Sequence, residues 1–300
     1  MTSDKPRVGF IGLGLMGHGI AKNLVAKGFP LTIRVHRNRK PAEDILAAGA
    51  KEVKTSAELA RASDVVILCV TGSPQIEEII YGENGIMSAA RAGLVVIDTS
   101  TAEPASTAKI RDDFAKKGTK YVDAPLARTP KEAEEGRLNT MVGADDATFA
   151  QVKPVLSAYC ENVIHVGPPG HGHMLKLINN FIAQAIATAT AEACAACAKS
   201  GVSIRKLHEL ISAGAVNSGI FQMMVGRMLE GDMAGLKFTL VNAMKDLRYY
   251  THFAESLPVS AIVGEAVHQS LVNANLMGFG DKYVPSLIEA QEKLAGVKII

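Results

Sequence analysis

The sequence predicts an α/β domain with a mostly parallel sheet, followed by an all-α domain. Three observations carry this. Strand-like and helical stretches alternate from Arg7 to Val166, as βαβ units require. A glycine-rich turn directly follows the first strand-like run and opens a helix. Beyond Val166 the β signal stops at Gly167-Pro168-Pro169-Gly170, and everything from His173 onward reads helical. The 300 residues also exceed what one core usually fills. The expected division is residues 1–167 for the α/β domain and 168–300 for the helical one, joined by a long interdomain helix.

The first strand is expected over residues 7–11, with a helix running to Lys27. Strands follow at 31–35, 64–70 and 94–99, with helical stretches between them. The runs DVVILCV and LVVID are apolar throughout rather than alternating, which is how strands buried on both faces read. Lys120–Asp123, Leu138–Gly143 and residues 162–166 extend the same sheet. The helical domain opens with a helix over 174–199, whose many alanines allow close helix approach. Breaks near Gly201, 214–218, 231–235, Pro258 and 278–280 divide the rest.

Composition excludes several classes. A formal net charge of +2 gives no reason to expect nucleic acid or an acidic membrane as partner. Residues 1–7 lack the apolar core of a signal peptide. The longest apolar stretch, 181–198, is interrupted by Gln184 and Glu192 and reads as a buried helix rather than a membrane span. Cys69, Cys160, Cys194 and Cys197 form no dense framework, which fits a reducing cytoplasm. Cys194 and Cys197 make a C-x-x-C in an alanine-rich helix with no second pair, and read as small packing residues. No metal is expected, because His171 and His173 alternate in a glycine-rich turn with no sequence-adjacent carboxylate or thiol.

Gly12-Leu13-Gly14-Leu15-Met16-Gly17 is a G-x-G-x-x-G between the first strand and a helix. In that context it is the turn of a Rossmann-type domain. The first glycine permits the tight turn, the second lets backbone approach a pyrophosphate, and the third lets helix pack on sheet. The helix N-terminus supplies free N–H groups for phosphate. The ribose position is unusual. The second strand ends Arg34-Val35-His36-Arg37-Asn38-Arg39-Lys40, and no carboxylate appears before Glu43. The four cations of this run, Arg34, Lys40 and above all Arg37 and Arg39, would welcome a 2′-phosphate, so NADP is favoured over NAD. Val70 and Thr71, after the strand at 64–70, are expected beside the cofactor.

Lys176 and Asn180 are four apart on the long helix and share a face turned to the interdomain cleft. Carbonyl reduction needs a proton donor beside the nascent alkoxide, and alcohol oxidation needs the same group as base. A lysine serves both when its pKa is lowered. Four motifs in order then resemble the β-hydroxyacid dehydrogenases, over essentially the whole chain: GLGLMGHGIAKNLVAKG at 12–28, DAPLARTPKEAEEGRL at 123–138, G-x-G-x-x-x-K-x-x-x-N at 170–180, and Lys245-Asp246-Leu247. The resemblance implies an NAD(P)-dependent enzyme interconverting a short 3-hydroxy acid and its semialdehyde. It assigns proton transfer to Lys176, substrate binding to Asn180, a cofactor-side role to Lys245, and a place near the nicotinamide ribose to Thr101.

The substrate segment departs from the family's D-A-P-V-S-G-G. Ala127 lacks the serine hydroxyl, and Arg128 and Thr129 stand where glycines are usual. An Arg-Thr pair here, with KLINN at 176–180, resembles the sulfolactaldehyde reductases within the family, which implies NADH rather than NADP. A guanidinium fork suits an oxyanion, and Asn179 is placed to add a donor. A carboxylate would suit the same donors, leaving 3-hydroxyisobutyrate, tartronate semialdehyde and succinic semialdehyde as alternatives. A non-catalytic NADP-binding sensor would not need Lys176 and Asn180 together. The expected partners are a small anionic substrate and further copies of the chain, as a homodimer or homotetramer.

Overall fold

The computed structural model describes residues 5–36 and 38–300. Nine strands form one sheet among the described residues: β1 Val8–Ile11, β2 Leu31–Arg34, β3 Lys51–Glu52, β4 Val65–Leu68, β5 Val95–Asp98, β6 Lys120–Asp123, β7 Leu126–Ala127, β8 Leu138–Gly143 and β9 Cys160–Gly167. The order is β3-β2-β1-β4-β5-β6-β8-β7, with β9 beside β8. The first six strands in that order are parallel, whereas β8 runs antiparallel to β6 and β7. The sheet order reverses direction at β1 and β4, where doubly wound folds place their ligand crevice.

Helices α1 Gly17–Ala26, α2 Glu43–Ala47, α3 Ser56–Ala62, α4 Ser73–Tyr81, α5 Pro104–Ala115, α6 Pro130–Glu134 and α7 Asp146–Leu156 connect these strands. The central strands are apolar because both faces are covered. Val8, Phe10, Val65, Ile67, Val95 and Ile97 join one core, and Ile11, Val66, Leu68 and Val96 the other. Strands β3 and β7 have two residues each, too few for any periodicity to announce them.

Helix α8, His171–Lys199, begins three residues before its expected start. Its extra turn is sustained from outside, because the Asp123 carboxylate at the end of β6 accepts from the N–H groups of Gly170 and His173. Those donors lack intrahelical partners. Contacts divide the chain inside this helix, into Met1–Lys176 and Leu177–Ile300. By length and composition α8 could cross a membrane. Instead it carries Ala187, Ala191 and Cys194 into the core of the second unit. That unit also contains α9 Ile204–Ser212 and the helices Leu240–Ser256, Ile262–Ala274 and Leu287–Ala295.

Candidate active site

The glycine-rich turn divides its three glycines between two purposes. Gly12 has φ +110°, and a Cβ there would lie 2.1 Å from the Cys69 carbonyl oxygen. A Cβ on Gly17 would lie 1.8 Å from the Gly12 carbonyl. These two are glycine for the fold's own closeness. A Cβ on Gly14 would meet nothing within 4 Å among the described residues. Gly14 thus opens onto free space just ahead of α1, an approach of the kind that fits a dinucleotide pyrophosphate. Leu13 and Met16 pack against the core while Leu15 is exposed. The Val70 N–H, beyond β4, donates to the Ser100 hydroxyl oxygen at 3.0 Å. Thr71 is exposed and Thr101, beyond β5, is half-buried. All follow the carboxyl ends of parallel strands.

At the ribose end, Arg37 lies outside the described residues. Arg39 is committed to Glu52 through a two-bond fork of 2.9 and 2.8 Å, which holds the Glu52 carboxyl below its ordinary range. Arg34 closes β2 with a buried Nε that has no hydrogen-bond partner among the described residues. It is one of the four cations of the 34–40 run, and it is half-buried.

Two fully buried aspartates, Asp98 and Asp123, end β5 and β6 in register with each other. Like charges side by side on neighbouring strands destabilise unless each is satisfied. Asp98 accepts from Ser100 N–H at 2.9 Å and from the Tyr121 hydroxyl at 2.7 Å. Burial first, and then the Asp98 charge, push the Tyr121 phenol well up. Asp123 accepts from Gly170 N–H at 2.6 Å and His173 N–H at 2.8 Å. The His173 ring is fully buried, with Nδ1 2.7 Å from the Thr107 hydroxyl and Nε2 3.8 Å from Asp98. His173 has no carboxylate near it in sequence, and the fold brings two from distant strand ends, Asp123 to its backbone N–H and Asp98 near its ring. Even so, the described residues contain no cluster of three metal-binding side chains.

The segment around α6 is tied to α1. A Cβ on Gly19 would lie 2.4 Å from the Ala133 backbone. Asn23 donates to the carbonyls of Ala133 and Glu134, and His18 bonds Glu134 at 2.5 Å and Asp44 at 3.0 Å. Ala127 pairs with Asn139 across β7 and β8. Arg128 has φ +84°, a conformation that favours glycine, which accounts for the glycine usual there. Its guanidinium pairs with Glu161 and the Arg137 carbonyl. Thr129 caps α6, donating to Glu132 at 2.6 Å.

In the second unit, Asn180 donates to Asp246 at 2.6 Å, and Lys245 lies 2.9 Å from the same carboxylate. Asn179 donates to the Asn180 side-chain carbonyl at 3.1 Å. Lys176, half-buried, precedes Asn180 by one turn of α8. Asp246 thus joins the K-x-x-x-N helix to the K-D-L helix, a role that sequence alone left unassigned.

Comparisons with known proteins agree over both units. A family model described as the NAD binding domain of 6-phosphogluconate dehydrogenase matches residues 7–167. Another, described as NAD-binding of NADP-dependent 3-hydroxyisobutyrate dehydrogenase, matches residues 170–290. An Escherichia coli (strain K12) protein named 2-hydroxy-3-oxopropionate reductase is 32% identical, over 98% of this chain and 99% of its own. The 3-sulfolactaldehyde reductase of the same organism is 28% identical, over 97% of each chain. The solved Mycobacterium tuberculosis 3-hydroxyisobutyrate dehydrogenase with L-serine shares the fold, with a TM-score of 0.85 at 23% identity, over 95% of this chain and 98% of that one. Both halves matched in order, over the full length of named relatives, place the chain in the β-hydroxyacid dehydrogenase family, NAD(P)-dependent enzymes that act on a CH–OH group.

Proposed function

We propose that the chain interconverts a short anionic 3-hydroxy acid, or a hydroxysulfonate, and its semialdehyde, with Lys176 as general acid and base. The observation that carries this is Lys176 one turn before Asn180, with Asn180 fixed by a buried carboxylate. The nicotinamide, when bound, supplies or accepts the hydride. Lys176 delivers a proton to the oxygen as a carbonyl is reduced, and takes it back when the alcohol is oxidised. A side-chain amide has two N–H donors. Asp246 takes one from Asn180 and leaves the other for substrate. Lys245, beside that carboxylate, serves the cofactor side.

The substrate's anion is assigned to Arg128, Thr129 and the Ala127 backbone, and a further donor to the Asn179 amide. An arginine in a glycine's conformation is strained, and strain of that kind marks functional positions. The Arg-Thr pair favours a sulfonate; the relatives act, by their names, on both kinds of substrate. The basic sequence run at 34–40, with Arg34, Arg37, Arg39 and Lys40, favours NADP over NAD. Four free thiols suit the cytoplasm, and the apolar stretch 259–272 suits a homodimer or homotetramer.

The test is initial rates with sulfolactaldehyde, succinic semialdehyde, tartronate semialdehyde and 3-hydroxyisobutyrate, each with NAD and NADP. Turnover confined to the sulfonate supports Arg128 as the selectivity residue. Turnover of carboxylates alone removes the sulfonate reading. No turnover of any, with dinucleotide bound, leaves the sensor.

A further inference from the structure

We propose that Asp123 is a positioning residue for proton transfer: its buried carboxylate seats the first turn of α8 on the sheet end and so fixes where Lys176 stands. This rests on the reading of Lys176 as the proton-transfer group. Helix α8 has no capping side chain of its own, because Gly170 precedes it. The carboxylate of another element does that work, accepting from Gly170 and His173. Room for it is reserved on two sides. A Cβ on Gly143 would lie 2.5 Å from the Asp123 carboxylate, and one on Gly172 would lie 2.8 Å from it and 2.5 Å from the Met141 carbonyl. The G-x-G before the lysine is thus a fitted seat as well as a turn.

The seat is buttressed. The His173 ring, in the same turn, is held by Thr107 of α5 and stands beside Asp98, the in-register neighbour of Asp123. Two buried carboxylates in register are costly as mere filling. Here Asp123 orients the backbone of that turn, while Thr107 holds the ring and leaves Asp98 3.8 Å from its Nε2. Lys176 follows His173 by three residues, so its root moves with that turn. A displacement on the order of 1 Å costs about 100-fold in rate.

The test is Asp123→Asn in the full chain. The amide keeps one acceptor but sets an N–H donor against a backbone N–H. With the panel substrate turned over fastest, kcat per bound dinucleotide should fall roughly 10- to 100-fold. Dinucleotide Kd and stoichiometry should stay unchanged. The solvent deuterium isotope effect on kcat should rise, since proton delivery becomes limiting. A merely structural role would lower the binding capacity and leave the isotope effect where it was, and that result overturns the proposal. So does an unchanged kcat when Lys176→Ala is inactive. An active Lys176→Ala sinks the reading of Lys176 itself, whatever Asp123 does. If Asp123→Asn does not fold, Gly172→Ala displaces the same turn and carries the same readouts.

Discussion

Replacing Gly14 with alanine separates what the fold needs from what the cofactor needs. The new Cβ would meet no described heavy atom within 4 Å, and Gly14 does not have a positive φ. Stability should therefore hold, or rise by about 0.4–1 kcal/mol through a less flexible unfolded chain. That is a Tm change of at most about 4 °C upward. The methyl group points into the open approach assigned to the pyrophosphate. Keeping phosphate oxygen off one backbone N–H forfeits a charge-assisted bond of about 1.5–3 kcal/mol. The dinucleotide Kd should then rise roughly 10- to 150-fold. Gly12→Ala is the contrasting variant. It combines a φ of +110° with a Cβ 2.1 Å from the Cys69 carbonyl, so stability and binding should fail together. Thermal unfolding and fluorescence titration with NADH and NADPH read both quantities. Wild-type affinity in Gly14→Ala would remove the pyrophosphate from this turn. A Tm several degrees lower would show that the space is not open.

Three further outcomes are expected. Glu161→Gln should lower KM for an anionic substrate roughly two- to fivefold at constant kcat, because it removes a carboxylate competing for the partly exposed Arg128; an unchanged KM would mean that Arg128 does not meet the anion. Asn180→Ala should cost about 1–3 kcal/mol, seen as a lower Tm, since it strips a donor from the buried Asp246 carboxylate. The His18 cluster should make stability depend on pH. Burial pulls the imidazole pKa down, but hydrogen bonds to Glu134 and Asp44 outweigh this and raise it overall. A raised folded pKa contributes stability that is fully present below the unfolded value of about 6.5 and is lost as pH rises through the folded value. Glu134 and Asp44 are held low, so their share is lost only as pH falls through their depressed values. The Tm deficit of His18→Ala should thus be larger at about pH 6 than at about pH 8.5; equal deficits would refute the linkage.

The parts legible in the sequence are those whose cause is local. The apolar runs of β4 and β5 announce strands covered on both faces, and Gly12 to Gly17 announce a strand–turn–helix. The parts that escaped depend on partners far along the chain. Arg128 meets Glu161, 33 residues on, a partner that no local spacing announces. Arg39 reads as a free cation until β3 brings Glu52 beside it. His173 reads as a lone histidine in a glycine turn, yet its backbone partner lies 50 residues upstream. One signal was available. VVID is apolar up to its last residue, KYVD is buried after its first lysine, and each is closed by an aspartate. A buried carboxylate at a strand end must find donors within the fold. In a doubly wound sheet the carboxyl ends face the functional edge. Two such aspartates on consecutive parallel strands therefore already imply a polar structure at that edge. Only the register of β5 on β6 and the arrival of α8 show that the structure is a seat for the helix that carries Lys176.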